Sequence, residues 1–206
     1  EPEDIPAATQ IFTPNWIVKY LVENTIGRQW LDKYPNSDLR DEMEYLVERE
    51  TDEPSDSIFD DLSELQLFDP AAGSGHILVE GFDLLMGMYQ EEGYTVREAV
   101  EHILTENLRG MEIDRRAAQL ARFALLMKAA QYDTRVLQRR ELRPEVYAMP
   151  EPRDFSTSDL RAYLGDDVFD TCGAEIKEAL DLIGEHGQNV GSALKLDLSD
   201  DARTAM

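Results

Sequence analysis

Two glycines, an acid upstream of them and a second acid at the end of a later strand set the chemistry open to this sequence. In Asp69-Pro70-Ala71-Ala72-Gly73-Ser74-Gly75-His76, the glycines lack a Cβ, so the chain can bend sharply and a ligand can touch its backbone. The turn lies between a short strand, Leu65-Gln66-Leu67-Phe68, and an apolar helix from Ile77 to Tyr89. Unpaired N–H groups of such a helix's first turn face a ligand. The crevice at strand C-terminal ends is where open α/β sheets bind ligands. Glu112 ends the next strand, where a carboxylate can accept from two ribose hydroxyls. Asp69 is placed to receive an ammonium group. Together these residues suit a nucleoside-type cofactor.

A Gly-Ser-Gly by itself is a loop far more often than a cofactor site. The strand–turn–helix context and the two acids change that balance. The dinucleotide fingerprint wants Gly or Ala three residues after its second glycine, and Leu78 stands there. A phosphate-binding P-loop needs Gly-Lys, and no Lys follows Gly75. An amino-acid-bearing nucleoside without phosphate, S-adenosylmethionine, fits better.

The elements that must position these residues follow from periodicity. Thr13 to Leu31 reads as a helix, with Thr13 as N-cap, Pro14 in the first helical position, and Ile17, Val18, Leu21, Val22 and Thr25 on one face. Asp32 to Ser63 is dense in acids and reads as a solvated connector, with Leu39 to Arg49 as a possible helix and Thr51 to Ser57 as exposed loop. Thr95 to Leu104 predicts an amphipathic helix and Leu108 to Ile113 a second strand. Arg115 to Tyr132 predicts a helix whose face carries Ala117, Leu120, Ala121, Ala124, Leu125 and Lys128. Alternating strands and helices mean a parallel sheet with packed helices, an α/β fold. Beyond it, Glu145 to Met149 suggests a third strand, Ser158 to Leu164 and Ala174 to Ile183 helices, and Ser192 to Leu196 a strand or turn. The patch Met149-Pro150-Glu151-Pro152 interrupts regular structure.

The chain's 206 residues fit one domain, and 42% hydrophobic residues allow a proper core. No apolar run suggests a membrane span. The acidic N-terminus is no secretory signal, and the lack of a starting Met suggests a piece of something longer. Cys172 is the single cysteine, so no internal disulfide forms, and no Cys/His cluster offers a metal site. A cytoplasmic protein is the default. The net charge of −23 has the wrong sign for gripping nucleic acid unaided and reads chiefly as solubility.

Asp69 to His76 resembles the Asp-Pro-Ala/Cys-x-Gly-Ser-Gly signature of amino-group DNA methyltransferases, the adenine-N6 kind in particular. Gln10-Ile11-Phe12-Thr13-Pro14 resembles their upstream Phe-Thr-Pro element, and Gly110-Met111-Glu112-Ile113-Asp114 their second-strand element. The order is right over residues 8 to 125. The likeness is to large single-chain adenine methyltransferases of BREX phage defence, the PglX-like kind, and of fused restriction–modification enzymes. Residues 133–206 fit only loosely.

The resemblance implies a Rossmann-like class I S-adenosylmethionine-dependent fold, incomplete for want of its C-terminal strands. Residues 1–31 would be a cofactor-covering helix, 32–63 an acidic insert and 64–132 a βαβα core. Phe12, Thr13 and Pro14 would contact the methionine part, and Asp69 its ammonium. Pro70, Ala71, Gly73, Ser74 and Gly75 would line the cofactor by backbone. Glu112 would take the ribose hydroxyls and Ile113 would pack on adenine. His76 either joins the site or merely caps its helix. Singly, each has a plainer reading: Thr13-Pro14 as a helix start, Glu112 as a strand-end acid, Ile113 as core.

The family's catalytic Asn/Asp-Pro-Pro-Tyr/Phe is absent, with no Pro-Pro anywhere in the chain. Gly191-Ser192-Ala193-Leu194 is a candidate approach to it. The resemblance therefore implies a cofactor-binding fragment, unable to methylate by itself, that meets DNA through regions it lacks, with no metal and no membrane. Other readings are a methyltransferase of the same fold acting on RNA or protein glutamine, a nicotinamide-dependent dehydrogenase, which Leu78 disfavours, and an acidic non-enzymatic module that binds a basic partner or mimics DNA.

Overall fold

The computed structural model describes residues 13–48, 58–149, 156–190 and 198–205, with backbone alone for 186–190. Two units emerge, Glu1–Ala148 and Met149–Met206, and the boundary falls at the proline patch.

In the first unit Pro14 decides where the first helix begins. Its φ of −54° and ψ of 142° are extended, so it is itself the N-cap and α1 runs Asn15–Val22. The Pro14 carbonyl accepts from the Ile17 and Val18 amides at 2.9 and 3.2 Å. The cap expected at Thr13 and the first position expected at Pro14 are each displaced by one residue. The helix then widens into a π turn, Glu23–Gly27, and resumes as α2, Arg28–Lys33. Side chains that bond back to the helix carbonyls mark the widening: Thr25 Oγ1 donates to Leu21 and Asn24 Nδ2 to Tyr20, at 2.7 and 2.8 Å.

The acidic segment is no solvated connector where it is described. Leu39, Met43, Phe59 and Leu62 are buried in the core. In place of a helix over Leu39–Arg49 there is a 3₁₀ turn, Asp38–Glu42, followed by irregular chain. Strapping explains the difference. Asn24 accepts from the Val47 amide and donates to the Tyr45 carbonyl, both at 2.8 Å, so tertiary bonds take the place of helical ones. The expected loop over residues 51–57 lies outside the described residues.

Three short parallel strands, β1 (Leu67–Asp69), β2 (Leu108–Glu112) and β3 (Glu145–Ala148), lie side by side in chain order. Helix α3 (His76–Glu91) joins β1 to β2 with α4 (Val96–His102) and a π turn, Ile103–Asn107; α5 (Arg115–Tyr132) leads to β3. Thr95 begins α4 with a capping box to Glu98. Asn107, fully buried, donates to the Leu62 and Leu65 carbonyls at 2.8 Å and accepts from the Tyr89 hydroxyl at 2.9 Å. It thus fixes the approaches to β1 and β2 together, and every polar atom of its amide group that bonds here is satisfied.

The helices cover one face of the sheet, over Leu67, Leu108, Gly110 and Val146. The buried stripe of α5 is Ala118, Ala121, Leu125 and Ala129, rotated from the expected one, so that Leu120 is 51% exposed. Phe68, Met111 and Tyr147 are exposed on the other face, beside an Arg109–Glu145 ion pair of 2.9 Å.

Among its described residues the second unit holds three helices: α6 (Thr157–Leu164), α7 (Asp166–Val190) and α8 (Asp200–Ala205). Helix α7 extends well beyond the expected Ala174–Ile183, because Gly165 at φ 81° restarts the chain and Asp166 and Asp167 suit the positive end of a helix. Leu160, Cys172, Ile176 and Ala202 form its core. Residues 192–196 lie outside the described residues, as does the Gly191–Leu194 segment.

Candidate functional site

The sheet's register sets Asp69 opposite Gly110, so the turns after β1 and β2 emerge side by side. Backbone bonds join them. The Ala72 amide donates to the Met111 carbonyl at 2.9 Å, and the Gly73 amide donates to Glu112 Oε2 at 2.6 Å. Between the turns opens a cleft of about 470 Å³, within the range of small-molecule sites.

The cleft brings together Thr13, Asp69, Ala71, Gly73, Ser74 and Glu112 of the residues expected from sequence. Pro14, Pro70, Gly75 and Ile113 are not among its lining residues, and Phe12 lies outside the described residues. His76, left open from sequence, does line it, at the first position of α3 behind the N-cap Gly75. Sequence reasoning missed Ala72, Ile77, Asp114, Arg116, Ala117 and Leu120. The signal for Ala117 and Leu120 was their place in the first turns after Glu112, on the side of α5 that faces the neighbouring strand's turn.

The two glycines differ. Gly73 has φ 53° and nothing within 4 Å of where a Cβ would sit, so it serves the turn's conformation. Gly75 has φ 88°, and a Cβ there would meet Ala121 Cβ at 3.0 Å and Ala121 Cα at 3.1 Å. It lets the turn press against α5 and offers the cleft no surface of its own. Leu78, the residue that breaks the dinucleotide fingerprint, is fully buried, and a Cβ at Gly110 would lie 3.0 Å from it. The close helix–strand approach that the fingerprint builds with a helix glycine is built here with a strand glycine.

The electrostatics are acidic. Asp69 is buried and its carboxylate accepts from the Ala71 amide at 3.0 Å. Burial pushes its carboxyl above the usual range, the Ala71 bond opposes this, and the Glu112 charge adds to it. Glu112 Oε1 accepts from the Ile113 and Asp114 amides at 2.8 and 2.9 Å. Asp114 caps α5 by accepting from the Arg116 amide at 2.7 Å. Three carboxylates and one arginine line the cleft. That set suits a ligand bearing a cation and hydroxyls, and lacks the positive cradle a pyrophosphate needs. Among the described residues no acid, His and Cys group could hold a metal ion, and no helix is long and apolar enough to cross a membrane.

Residues 47–152 match the family described as MmeI, DNA-methyltransferase domain. The chain is 50% identical over 147 residues to the adenine-specific methyltransferase BrxX of Escherichia coli O9:H4 (strain HS), covering 66% of this chain and 12% of that protein. It is 44% identical over 172 residues to the adenine-specific methyltransferase PglX of Lacticaseibacillus casei (strain Zhang), covering 74% of this chain and 14% of that protein. It therefore spans a small part of the length of these relatives.

Proposed function

The chain belongs to the MmeI DNA-methyltransferase domain family, and from that premise we propose that it is the cofactor-holding part of an adenine-N6 DNA methyltransferase that uses S-adenosylmethionine. The observation that carries this is the acid-lined cleft, with Asp69 buried at its base and no phosphate cradle. Both relatives are named as adenine-specific methyltransferases.

In this reading Asp69 holds the cofactor's ammonium, and Phe12, Thr13 and Pro14 approach its methionine part. Ala71, Gly73 and Ser74 meet it by backbone, while Pro70 and Gly75 shape the turn. Glu112 receives ribose hydroxyls, and Ala117 and Leu120 offer apolar surface to the adenine beside Ile113. When bound, the cofactor supplies an electrophilic methyl group on a sulfonium. The cleft residues of this chain bind and orient it, and no step on the target amine is assigned to them. The base-accepting and DNA-reading groups belong to other parts of the protein, as do the remaining strands of a class I fold. The work of the whole is DNA methylation in phage defence or restriction–modification, in the cytoplasm.

The test is methyl transfer from labelled S-adenosylmethionine to DNA by the full-length protein. Asp69→Asn is expected to abolish transfer, and the isolated chain to show none. Methylation of DNA by this chain alone would overturn the division of labour.

A further inference from the structure

Glu112 makes a bond that a ribose-binding acid does not need. A carboxylate offers about four acceptor positions. Three are filled within the chain, by the amides of Gly73, Ile113 and Asp114 at 2.6, 2.8 and 2.9 Å. A ribose diol brings two donors, and one position is left. One resident amide has to yield.

The three amides are unequal in what holds them. Ile113 and Asp114 belong to Glu112's own turn, and Asp114 is fixed by capping α5 through the Arg116 amide at 2.7 Å. Their amides lie one and two residues along the chain from the carboxylate they bond, directly before the start of that helix. Gly73 comes from a different turn, has open space where its Cβ would be, and hangs beyond Ala72, whose amide stays anchored to the Met111 carbonyl at 2.9 Å. Gly73 can move alone.

We infer that Glu112 is a positioning residue that clips the glycine turn through the Gly73 amide, and that a ligand bearing a vicinal diol displaces this amide and frees it to face the ligand. The inference rests on reading the cleft as a nucleoside site. It gives the cleft a basis for discrimination: a nucleoside with one ribose hydroxyl fits the vacant position and leaves the clip closed.

The test follows single amides by NMR in the ¹⁵N-labelled chain. Without ligand, the Gly73 amide should exchange about tenfold or more slowly than in Glu112→Gln, a side chain with one acceptor oxygen that cannot serve both turns. Saturating S-adenosylhomocysteine or adenosine should shift and deprotect Gly73 relative to Glu112-bonded Ile113 and Asp114, which hold; 2′-deoxyadenosine should not. The ligand arms use the unaltered protein and stand even if the Gln variant does not fold. Equal exchange at Gly73 in both proteins overturns the clip. Shifts at Ser74 and Leu120 with Gly73 unmoved overturn the displacement alone. No shift at any cleft amide overturns the displacement together with the cofactor reading.

Discussion

The turns after β1 and β2 meet at one cleft and are built on opposite plans. The first takes its shape from missing atoms: Gly73 and Gly75 adopt positive φ, and its acid, Asp69, is buried and accepts from the Ala71 amide. The second has no positive-φ residue, and its acids are used in structure, with Glu112 bonded to three amides and Asp114 capping α5. One turn holds a costly charge ready for a ligand; the other holds the first in place. Two strand-end acids thus differ in their resident partners, one amide for Asp69 and three for Glu112, which holds the first turn in place and keeps one acceptor position open.

The sharpest way to break this comparison is within the first turn. Gly75→Ala adds a left-handed backbone cost to a contact with the Ala121 backbone, and should destabilise by about 3 kcal/mol or more in urea unfolding. Gly73→Ala meets open space and should cost about 1–2 kcal/mol, the left-handed term alone. Equal costs would mean that Gly75 does not pack as described.

Asp69→Asn separates stability from binding. The folded carboxyl is raised above its ordinary value by burial, so the charge lowers stability as pH rises from the ordinary carboxylate range through the raised value. Removing it should raise the melting temperature at pH 7 while weakening cofactor binding on the order of 100-fold. In the unaltered chain, affinity should fall as pH is lowered through that same raised value, because the ammonium loses its partner. A parallel loss of stability and binding in the Asn variant would contradict the assignment. The smallest effect belongs to the second turn: Asp114→Ala removes a helix cap and should cost about 1 kcal/mol of stability, read by thermal unfolding.

Much of the core was legible because its periodicities are strong. The α5 limits, Arg115–Tyr132, follow from spacing, and the order of strands and helices from their alternation. What escaped depended on tertiary contacts. Leu39 and Met43 looked diluted among acids, yet a Cβ at Gly87 or Gly27 would run into them, so glycines far along the chain make their seats. The α5 stripe turned because Ala121 must face Gly75, which leaves Leu120 beside the cleft. Asn107 gave no sign in sequence, since its three partners lie at Leu62, Leu65 and Tyr89. Asp69, Gly73 and Glu112 were legible as a group; the difference between Gly73 and Gly75 was not, because a sequence shows that a Cβ is missing and not what it would have struck.

The most direct test is calorimetric titration of this chain with S-adenosylhomocysteine and, separately, with NAD. Saturable binding of S-adenosylhomocysteine, lost in Asp69→Asn, with no heat from NAD is the expected result. Binding of NAD, or of S-adenosylhomocysteine equally by the Asn variant, would contradict a cleft built around the buried charge of Asp69.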